Sequence, residues 1–303
     1  MPTVYVAPEG FMKELKTELA RLGGAAAEER GRLLISREPA KDLAWAQDTW
    51  TDVREIDVDS IGDAAKKLRA IGGHWWLEST ALHRRASLIQ EKLPRASAKA
   101  IGFLDPLPER RLGAWTLLDE KHLLASPETL HPLPGGEVPL KENKTDPPSR
   151  AYMKLWELFT VYGVRPRPGA KCLELGASPG GWTWVLAGLG CEVSAIDRSP
   201  LDPRIARMKG VSFKAGDALS LDPKAIGRID WLFSDVICQP AKLFETVRAW
   251  RESGLCRNFV CTLKFKGETD FDATDLFRAV EGSKVKHLWH NKHELTWWLT
   301  SGD

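Results

Sequence analysis

The second half of the chain alternates apolar strand-like segments with helical ones, and this alternation limits the possible folds more than any other feature. Alternating strands and helices form parallel sheets that carry helices on both faces. Two final strand-like segments, residues 284–289 and 294–300, predict a hairpin that adds an antiparallel edge. We therefore predict a Rossmann-like α/β domain with a mostly parallel, seven-stranded sheet. Its parallel strands are predicted at residues 171–175, 192–196, 212–214, 230–234 and 258–264. Before the first of them, Ser149 is expected to cap a helix.

The first part of the chain, residues 1–126, shows a different pattern, in which short strands and helices alternate without a catalytic motif. Helices are predicted at residues 10–22, where an apolar stripe has the spacing i, i+4 and i+8, and at residues 61–71 and 82–93. Strands are predicted at residues 3–7, 32–36, 52–57, 74–77 and 113–118. This pattern predicts a smaller α+β domain. Residues 127–148 contain eight prolines and glycines, which disfavour helices and central strands. We therefore predict a linker at 127–148 and a second domain at 149–303.

Composition excludes several classes of protein. The five cysteines among 303 residues have no C-x-x-C spacing, which argues against a disulfide framework or a zinc site. His290 and His293 flank a predicted turn without nearby thiolates, so we predict no metal site. No apolar run reaches the roughly 18 residues of a membrane span. The first residues lack signal-peptide features, so we expect a cytoplasmic protein.

A glycine-rich loop joins the first predicted strand of the second domain to a helix, at residues 172–182. Gly176, Gly180 and Gly181 allow a sharp turn and a close approach of the backbone to a ligand. The loop is no dinucleotide fingerprint, because G-x-G-x-x-G is absent and Pro179 stands in its middle. It is no P-loop either, because it lacks Gly-Lys-Ser/Thr. The loop therefore predicts a nucleotide-like cofactor without a pyrophosphate.

Two aspartates follow the next predicted strands. Asp197 lies 21 residues after Gly176, where a carboxylate suits the hydroxyls of a cofactor ribose. Asp217 could accept a hydrogen bond from an adenine amino group. Each aspartate alone is equally typical of a helix cap or a turn. Together, at consecutive strand ends, they favour S-adenosylmethionine as the cofactor.

The loop resembles the cofactor motif of the FtsJ/RrmJ family of RNA ribose 2′-O-methyltransferases. That resemblance implies cofactor contacts from Glu174, Gly176, Ala177, Ser178, Pro179, Gly180, Gly181, Trp182, Asp197, Asp217 and Asp235. Residues 149–155 are similar to the upstream motif of the family, and Glu174 stands where aspartate is more frequent. The catalytic K-D-K-E tetrad of the family is matched by Lys154, Asp235, Lys264 and Glu294.

Within the family, the chain resembles the bacterial 23S rRNA cytidine 2′-O-methyltransferases of the RlmM type. Those enzymes carry a ferredoxin-like and THUMP RNA-binding region before the catalytic domain. The resemblance implies that residues 1–126 bind RNA and that the partner is ribosomal RNA of the large subunit. The acceptor would be a cytidine. The first half of this chain is shorter than in that type.

The tetrad combines two lysines with two carboxylates, which suits the handling of a proton. Lys264 is the candidate for the base that accepts the hydroxyl proton, or for the cation that stabilises the alkoxide. The neighbouring charge of Lys154 favours loss of a proton from Lys264, whereas Asp235 and Glu294 oppose that loss and orient the amine. These tendencies conflict, and both roles stay open. Trp182 is expected in the core rather than as a stacking surface for a base.

A run of basic side chains predicts contacts to RNA phosphates, which would make binding depend on salt. The same run is equally typical of a solvated helix face. Arg150, in the second domain, has two interpretations as well: a phosphate contact, or a residue of the first helical turn. The candidates in the run are Arg84, Arg85, Lys92, Arg95 and Lys99.

Other functions compete with this prediction. The chain could be a non-catalytic RNA-binding or ribosome-assembly factor, although the complete tetrad argues against that. It could methylate the ribose of another RNA. Methylation of a base nitrogen is disfavoured, because Val236 and Ile237 follow Asp235 instead of a Pro-Pro-Tyr/Phe signature. The glycine-rich loop disfavours a nucleotide-dependent oxidoreductase.

Overall fold

The computed structural model describes residues 2–94, 99–109 and 112–301 and divides the chain into two compact units. The first unit comprises Met1–Ile101 and Asp105–Pro139, and the second comprises Gly102–Leu104 and Leu140–Asp303. The segment predicted as a linker, residues 127–148, therefore spans the division. Its first half packs into the first unit, where Leu133, Gly135 and Val138 are buried.

The first unit contains two four-stranded sheets and three helices within the described residues. One sheet has the order β2-β3-β1-β4, and the other has the order β5-β8-β7-β6. This arrangement agrees with the predicted α+β pattern, and helix α2 has the predicted bounds. Strands β2, β4 and β8 were not predicted. The elements are β1 Thr3–Val6, α1 Met12–Arg21, β2 Glu28–Arg30, β3 Leu33–Ser36, β4 Asp48–Trp50, β5 Arg54–Asp57, α2 Ile61–Ile71, β6 Trp75–Leu77, α3 His83–Gln90, β7 Gly113–Leu117 and β8 His122–Ser126.

The second unit contains the predicted seven-stranded sheet, in the order β11-β10-β9-β12-β13-β15-β14. The first five strands of that order are parallel, and β15 runs antiparallel to both of its neighbours. The predicted α/β class and the final hairpin are thus confirmed. The elements are α4 Tyr152–Val161, β9 Lys171–Leu175, α5 Gly181–Gly188, β10 Glu192–Asp197, α6 Pro203–Ala206, β11 Val211–Ala215, α7 Pro223–Ile226, β12 Trp231–Ser234, α8 Pro240–Ser253, β13 Asn258–Lys264, α9 Phe271–Arg278, β14 Lys284–Lys286 and β15 Glu294–Leu299.

The strand order places the ends of several strands at one edge of this sheet. Leu175, at the end of β9, pairs with Ile196 of β10 on one side and with Ser234 of β12 on the other. The chain crosses from one side of β9 to the other at this position, where open α/β sheets form their ligand crevice. At the same edge, Lys264 ends β13 directly opposite Glu294, which begins β15.

The described residues contain neither a membrane-spanning helix nor a metal site. None of the helices there is long and apolar enough to cross a bilayer. Nor do three histidine, cysteine, aspartate or glutamate side chains in that part of the chain come together as a metal site.

Candidate active site

The glycine-rich loop follows β9 and enters α5 in a conformation that requires two of its glycines. Gly176 has φ of 76°, and a Cβ at this residue would lie 2.6 Å from the Cα of Val236. The loop is therefore packed directly on the segment after β12. Gly180 has φ of 113° and precedes α5, and its Cβ would lie 2.8 Å from Cγ2 of Ile205. L-residues with side chains rarely adopt such positive φ angles.

A cavity of about 560 Å³ opens beside this loop. Every predicted cofactor residue lines it except Gly180, whose role is the turn into α5 and the contact with Ile205. The segment after Asp235 lines the cavity too, with Val236, Ile237 and Cys238, and these residues were not predicted. Their position directly after a predicted catalytic residue was the available signal. The predicted residues in the lining are Glu174, Gly176, Ala177, Ser178, Pro179, Gly181, Trp182, Asp197, Asp217 and Asp235.

The two aspartates at the strand ends also organise the backbone around the cavity. Asp197 accepts hydrogen bonds from the amides of Ser178, at 3.0 Å, and Ser199, at 2.9 Å, which ties the glycine-rich loop to the end of β10. Asp217 caps the turn that follows β11. The Leu219 amide and the Arg198 guanidinium hold the pKa of the Asp217 carboxyl below its usual range.

The four residues of the predicted tetrad meet at the same edge of the sheet. Oδ1 of Asp235 lies 2.6 Å from Nζ of Lys154 and 3.1 Å from Nζ of Lys264. Nζ of Lys154 also lies 3.2 Å from Oε1 of Glu294. One carboxylate oxygen therefore bridges both amines. With all four groups ionised, two positive and two negative charges balance, which reduces the cost of holding them away from water.

The two lysines of the tetrad have different environments. Only 7% of the Lys154 side chain is exposed, against 20% for Lys264. Nζ of Lys154 also lies 5.7 Å from the centre of the Trp182 ring, within the range of a cation–π contact. Lys264 and Asp235 line the cavity, Lys154 contacts Asp235, and Glu294 contacts Lys154. Of the two tetrad lysines, Lys264 is thus the one in the wall of the cavity.

Trp182 and Glu174 are buried beside the glycine-rich loop and take part in hydrogen bonds there. The indole Nε1 of Trp182, a buried residue as expected, donates a hydrogen bond of 2.9 Å to the carbonyl of Ala151. Oγ1 of Thr183 donates a hydrogen bond of 2.6 Å to Oε2 of Glu174. Complete burial raises the pKa of the Glu174 carboxyl to about 8, and the nearby charge of Asp235 acts in the same direction.

We expect Glu174 to make the stability of the protein depend on pH. Its pKa rises from an ordinary 4.5 to about 8 on folding, so the folded state retains a proton that the unfolded state loses. The free energy of unfolding should therefore fall as pH rises between these values, by on the order of 3–5 kcal/mol over the whole window. Glu174→Gln should remove this part of the slope. Denaturant unfolding of both proteins, at about pH 5 and about pH 8, measures it.

Burial also raises the pKa of Asp48, to about 7, so Asp48 lowers the free energy of unfolding with rising pH in both proteins. The contribution of Glu174 is therefore the difference between the pH slopes of wild type and Glu174→Gln. Equal slopes in wild type and Glu174→Gln would contradict the prediction.

Helix α4 departs from its prediction at its first turn. Ser149 was expected to cap the helix, but α4 begins at Tyr152 after Ala151, without a side-chain cap. Ser149 instead lines the cavity, and its Oγ would lie 2.5 Å from a Cβ at Gly181. The close approach of α5 therefore determines where Ser149 lies.

Glu157, one turn beyond Lys154, was not identified from the sequence. Its buried carboxylate accepts hydrogen bonds from the amides of Trp289, at 2.7 Å, and His290, at 2.9 Å. Nδ1 of His290 lies 2.7 Å from the same carboxylate. The segment before Glu294 is thereby attached to α4, which also carries Lys154. This contact could not be predicted from the sequence, because Glu157 and Trp289 are 132 residues apart in the chain.

The predicted RNA-binding residues have mixed environments. Arg84, Lys92 and Lys99 are exposed, and Arg85 is half-buried and donates a hydrogen bond to the carbonyl of Glu120. Arg95 lies outside the described residues. Arg150, in the second unit, is exposed, and its Nε lies 3.1 Å from Oε1 of Glu142. The contacts of these residues with RNA stay predictions.

Comparison with known proteins shows the family of this chain. A family described as FtsJ-like methyltransferase matches residues 147–270, which include the glycine-rich loop, Lys154, Asp235 and Lys264. A protein of Xanthomonas axonopodis pv. citri (strain 306) named ribosomal RNA large subunit methyltransferase M is 30% identical over 249 residues. That alignment covers 77% of this chain and 68% of the relative. This chain belongs to the FtsJ-like methyltransferase family. Membership in this methyltransferase family makes S-adenosylmethionine the cofactor of the chain.

Other relatives of the same name are longer than this family member. The protein of Halorhodospira halophila (strain DSM 244 / SL1) is 32% identical over 197 residues, which cover 62% of this chain and 57% of the relative. The protein of Thauera aminoaromatica is 30% identical over 179 residues, which cover 54% of this chain and 49% of the relative. The FtsJ-like chain thus spans about half the length of these relatives.

Proposed function

We propose that this chain transfers a methyl group from S-adenosylmethionine to a ribose 2′-hydroxyl of RNA. The observation that carries the proposal is the bridge from Oδ1 of Asp235 to both Lys154 and Lys264 at the wall of the cofactor cavity. The cofactor fits the residues present. The glycine-rich loop lines the cavity with Gly176, and Asp197 and Asp217 line it at the ends of the next two strands.

The residues of the tetrad have separate roles in this reaction. S-adenosylmethionine, when bound, supplies an electrophilic methyl group and leaves as a neutral thioether. Lys264 lies at the cavity wall and accepts the hydroxyl proton or stabilises the developing alkoxide. Asp235 holds the amine of Lys264 in place, Lys154 holds Asp235, and Glu294 holds Lys154. Burial of this cluster excludes water, which strengthens each charge interaction.

The proposed substrate is ribosomal RNA of the large subunit, with a cytidine as the acceptor. The relatives from Xanthomonas and Halorhodospira are named for that RNA, which supports the proposal. The first unit would bind the RNA, with Arg84, Lys92 and Lys99 as exposed cations suited to phosphates. Such a substrate implies that the protein acts in the cytoplasm.

The test is mass-spectrometric mapping of ribose methylation in ribosomal RNA from cells with and without this protein. We expect one 2′-O-methyl group to disappear in its absence and to return with the wild-type gene, but not with Lys264→Ala. Identical methylation in both strains would contradict the proposal and would favour a non-catalytic RNA-binding factor.

A further inference from the structure

A second cavity, of about 430 Å³, lies between the segment after β12 and the segment after β13. We refer to it as the side cavity. Its volume lies within the range of about 300–1,000 Å³ typical of small-molecule sites. Six residues that define it are Cys238, Gln239, Lys264, Phe265, Lys266 and Glu268.

The side cavity and the cofactor cavity share part of their walls. Cys238 and Lys264 line both. A molecule in the side cavity and a cofactor in the first cavity would therefore both lie beside Lys264. Methyl transfer requires this arrangement, because donor and acceptor must meet beside the group that handles the proton.

We propose that the side cavity binds the acceptor nucleotide of the RNA, as a single unstacked nucleotide. This inference rests on the proposed methyl transfer to ribose and identifies where its acceptor is held. A volume of this size admits one nucleotide, so the target must leave its helical stack before it enters.

The chemistry of the walls suits a nucleotide. Phe265 is buried to 9% exposure, and its ring packs 5.5 Å from the ring of His293, which gives the cavity a fixed apolar surface for a base or a sugar. Lys266 is exposed at the rim, where an ammonium suits a phosphate. Gln239 and Glu268 are exposed and polar, and such side chains bond to base edges. A carboxylate at Glu268 favours a base with an exocyclic amino group.

Asp270 also lines the side cavity. Its Oδ1 accepts a hydrogen bond of 2.9 Å from the amide of Ala273 and thereby caps α9. We therefore assign Asp270 to the structure of the wall.

The first experiment measures steady-state methyl transfer to undermodified ribosomal RNA by Gln239→Ala, Lys266→Ala and Glu268→Gln. We expect kcat/KM for RNA to fall by about tenfold or more, as for loss of one base or phosphate contact, while KM for S-adenosylmethionine stays within about twofold. Lys209→Ala is the matched control, because Lys209 is an exposed lysine outside the linings of both cavities. Transfer kinetics equal to the control in all three variants would overturn the inference.

The second experiment measures binding without transfer and uses Cys238 as a reporter. Cys238 is half-buried, and the other four cysteines are buried, so a thiol reagent should modify Cys238 first. A short single-stranded RNA should slow this alkylation in wild type and in Lys209→Ala, and much less in Gln239→Ala and Lys266→Ala. Equal protection in all of these proteins, or none in wild type, would refute the side cavity as an RNA site.

The two experiments separate the two proposals. In one outcome, RNA protects Cys238, this protection depends on Gln239 and Lys266, and the wild-type protein transfers no methyl group. That outcome would refute the proposed reaction but support the side cavity as an RNA site. Methyl transfer by wild type, with kinetics unchanged in the variants, would retain the reaction and refute the site.

Discussion

Lys264→Ala should lower the rate of methyl transfer by about 10²–10⁴-fold, the range typical for removal of a general acid or base. The amine lies at the wall of the cofactor cavity and 3.1 Å from Oδ1 of Asp235, so its loss removes the group that handles the hydroxyl proton. Binding of S-adenosylmethionine should change little. Single-turnover transfer to undermodified ribosomal RNA and calorimetric titration with the cofactor measure the two effects.

Two further variants sharpen this prediction. Lys264→Arg retains a positive charge but cannot release a proton near neutral pH. If the Arg variant is as inactive as the Ala variant, Lys264 acts as the base. If it retains much of the wild-type rate, Lys264 stabilises the alkoxide by its charge. Lys209→Ala is the control for loss of an exposed lysine elsewhere in the second unit, and wild-type turnover in Lys264→Ala would refute both roles.

Gly176→Ala should weaken binding of S-adenosylmethionine by about 10–100-fold, because overpacking at a tight site costs about 1–3 kcal/mol. The added Cβ would lie 2.6 Å from the Cα of Val236, which belongs to backbone and cannot move alone. The glycine-rich loop must then shift away from the segment that follows Asp235. Methyl transfer should fall as well, because that shift alters both the cofactor site and the position of the carboxylate.

The matched control is Gly163→Ala. Gly163 has φ of 69°, close to the 76° of Gly176, but none of the described atoms outside its chain neighbours lies within 4 Å of its Cβ position. Gly163→Ala therefore places a Cβ on a left-handed backbone conformation, with its energetic cost, but without a steric clash. Calorimetric titration of both variants with the cofactor compares them. Equal affinities of the two variants would contradict the predicted effect of the contact between Gly176 and Val236.

The sequence was sufficient for those elements whose local pattern is strong. Strands β9 and β13 were predicted with their observed bounds, because segments of strand length that are rich in apolar residues stand before the glycine-rich loop and before Lys264. Helix α2 was predicted with its observed bounds as well, since Ser60 caps its first turn and accepts a hydrogen bond from the amide of Asp63. Three-residue strands such as β4 lack such a pattern, and only pairing with β1 makes Asp48–Trp50 a strand.

For the candidate active site, the chain alone predicted which side chains come together, because motifs at strand ends imply convergence in a parallel sheet. Only the tertiary structure decided how they are connected. Asp235 bridges two lysines, one of them 81 residues away, and Lys154 is buried while Lys264 faces the cavity. The side cavity likewise depends on the segments after β12 and β13 lying next to each other. Distances between residues far apart in sequence depend on packing, which no local pattern records.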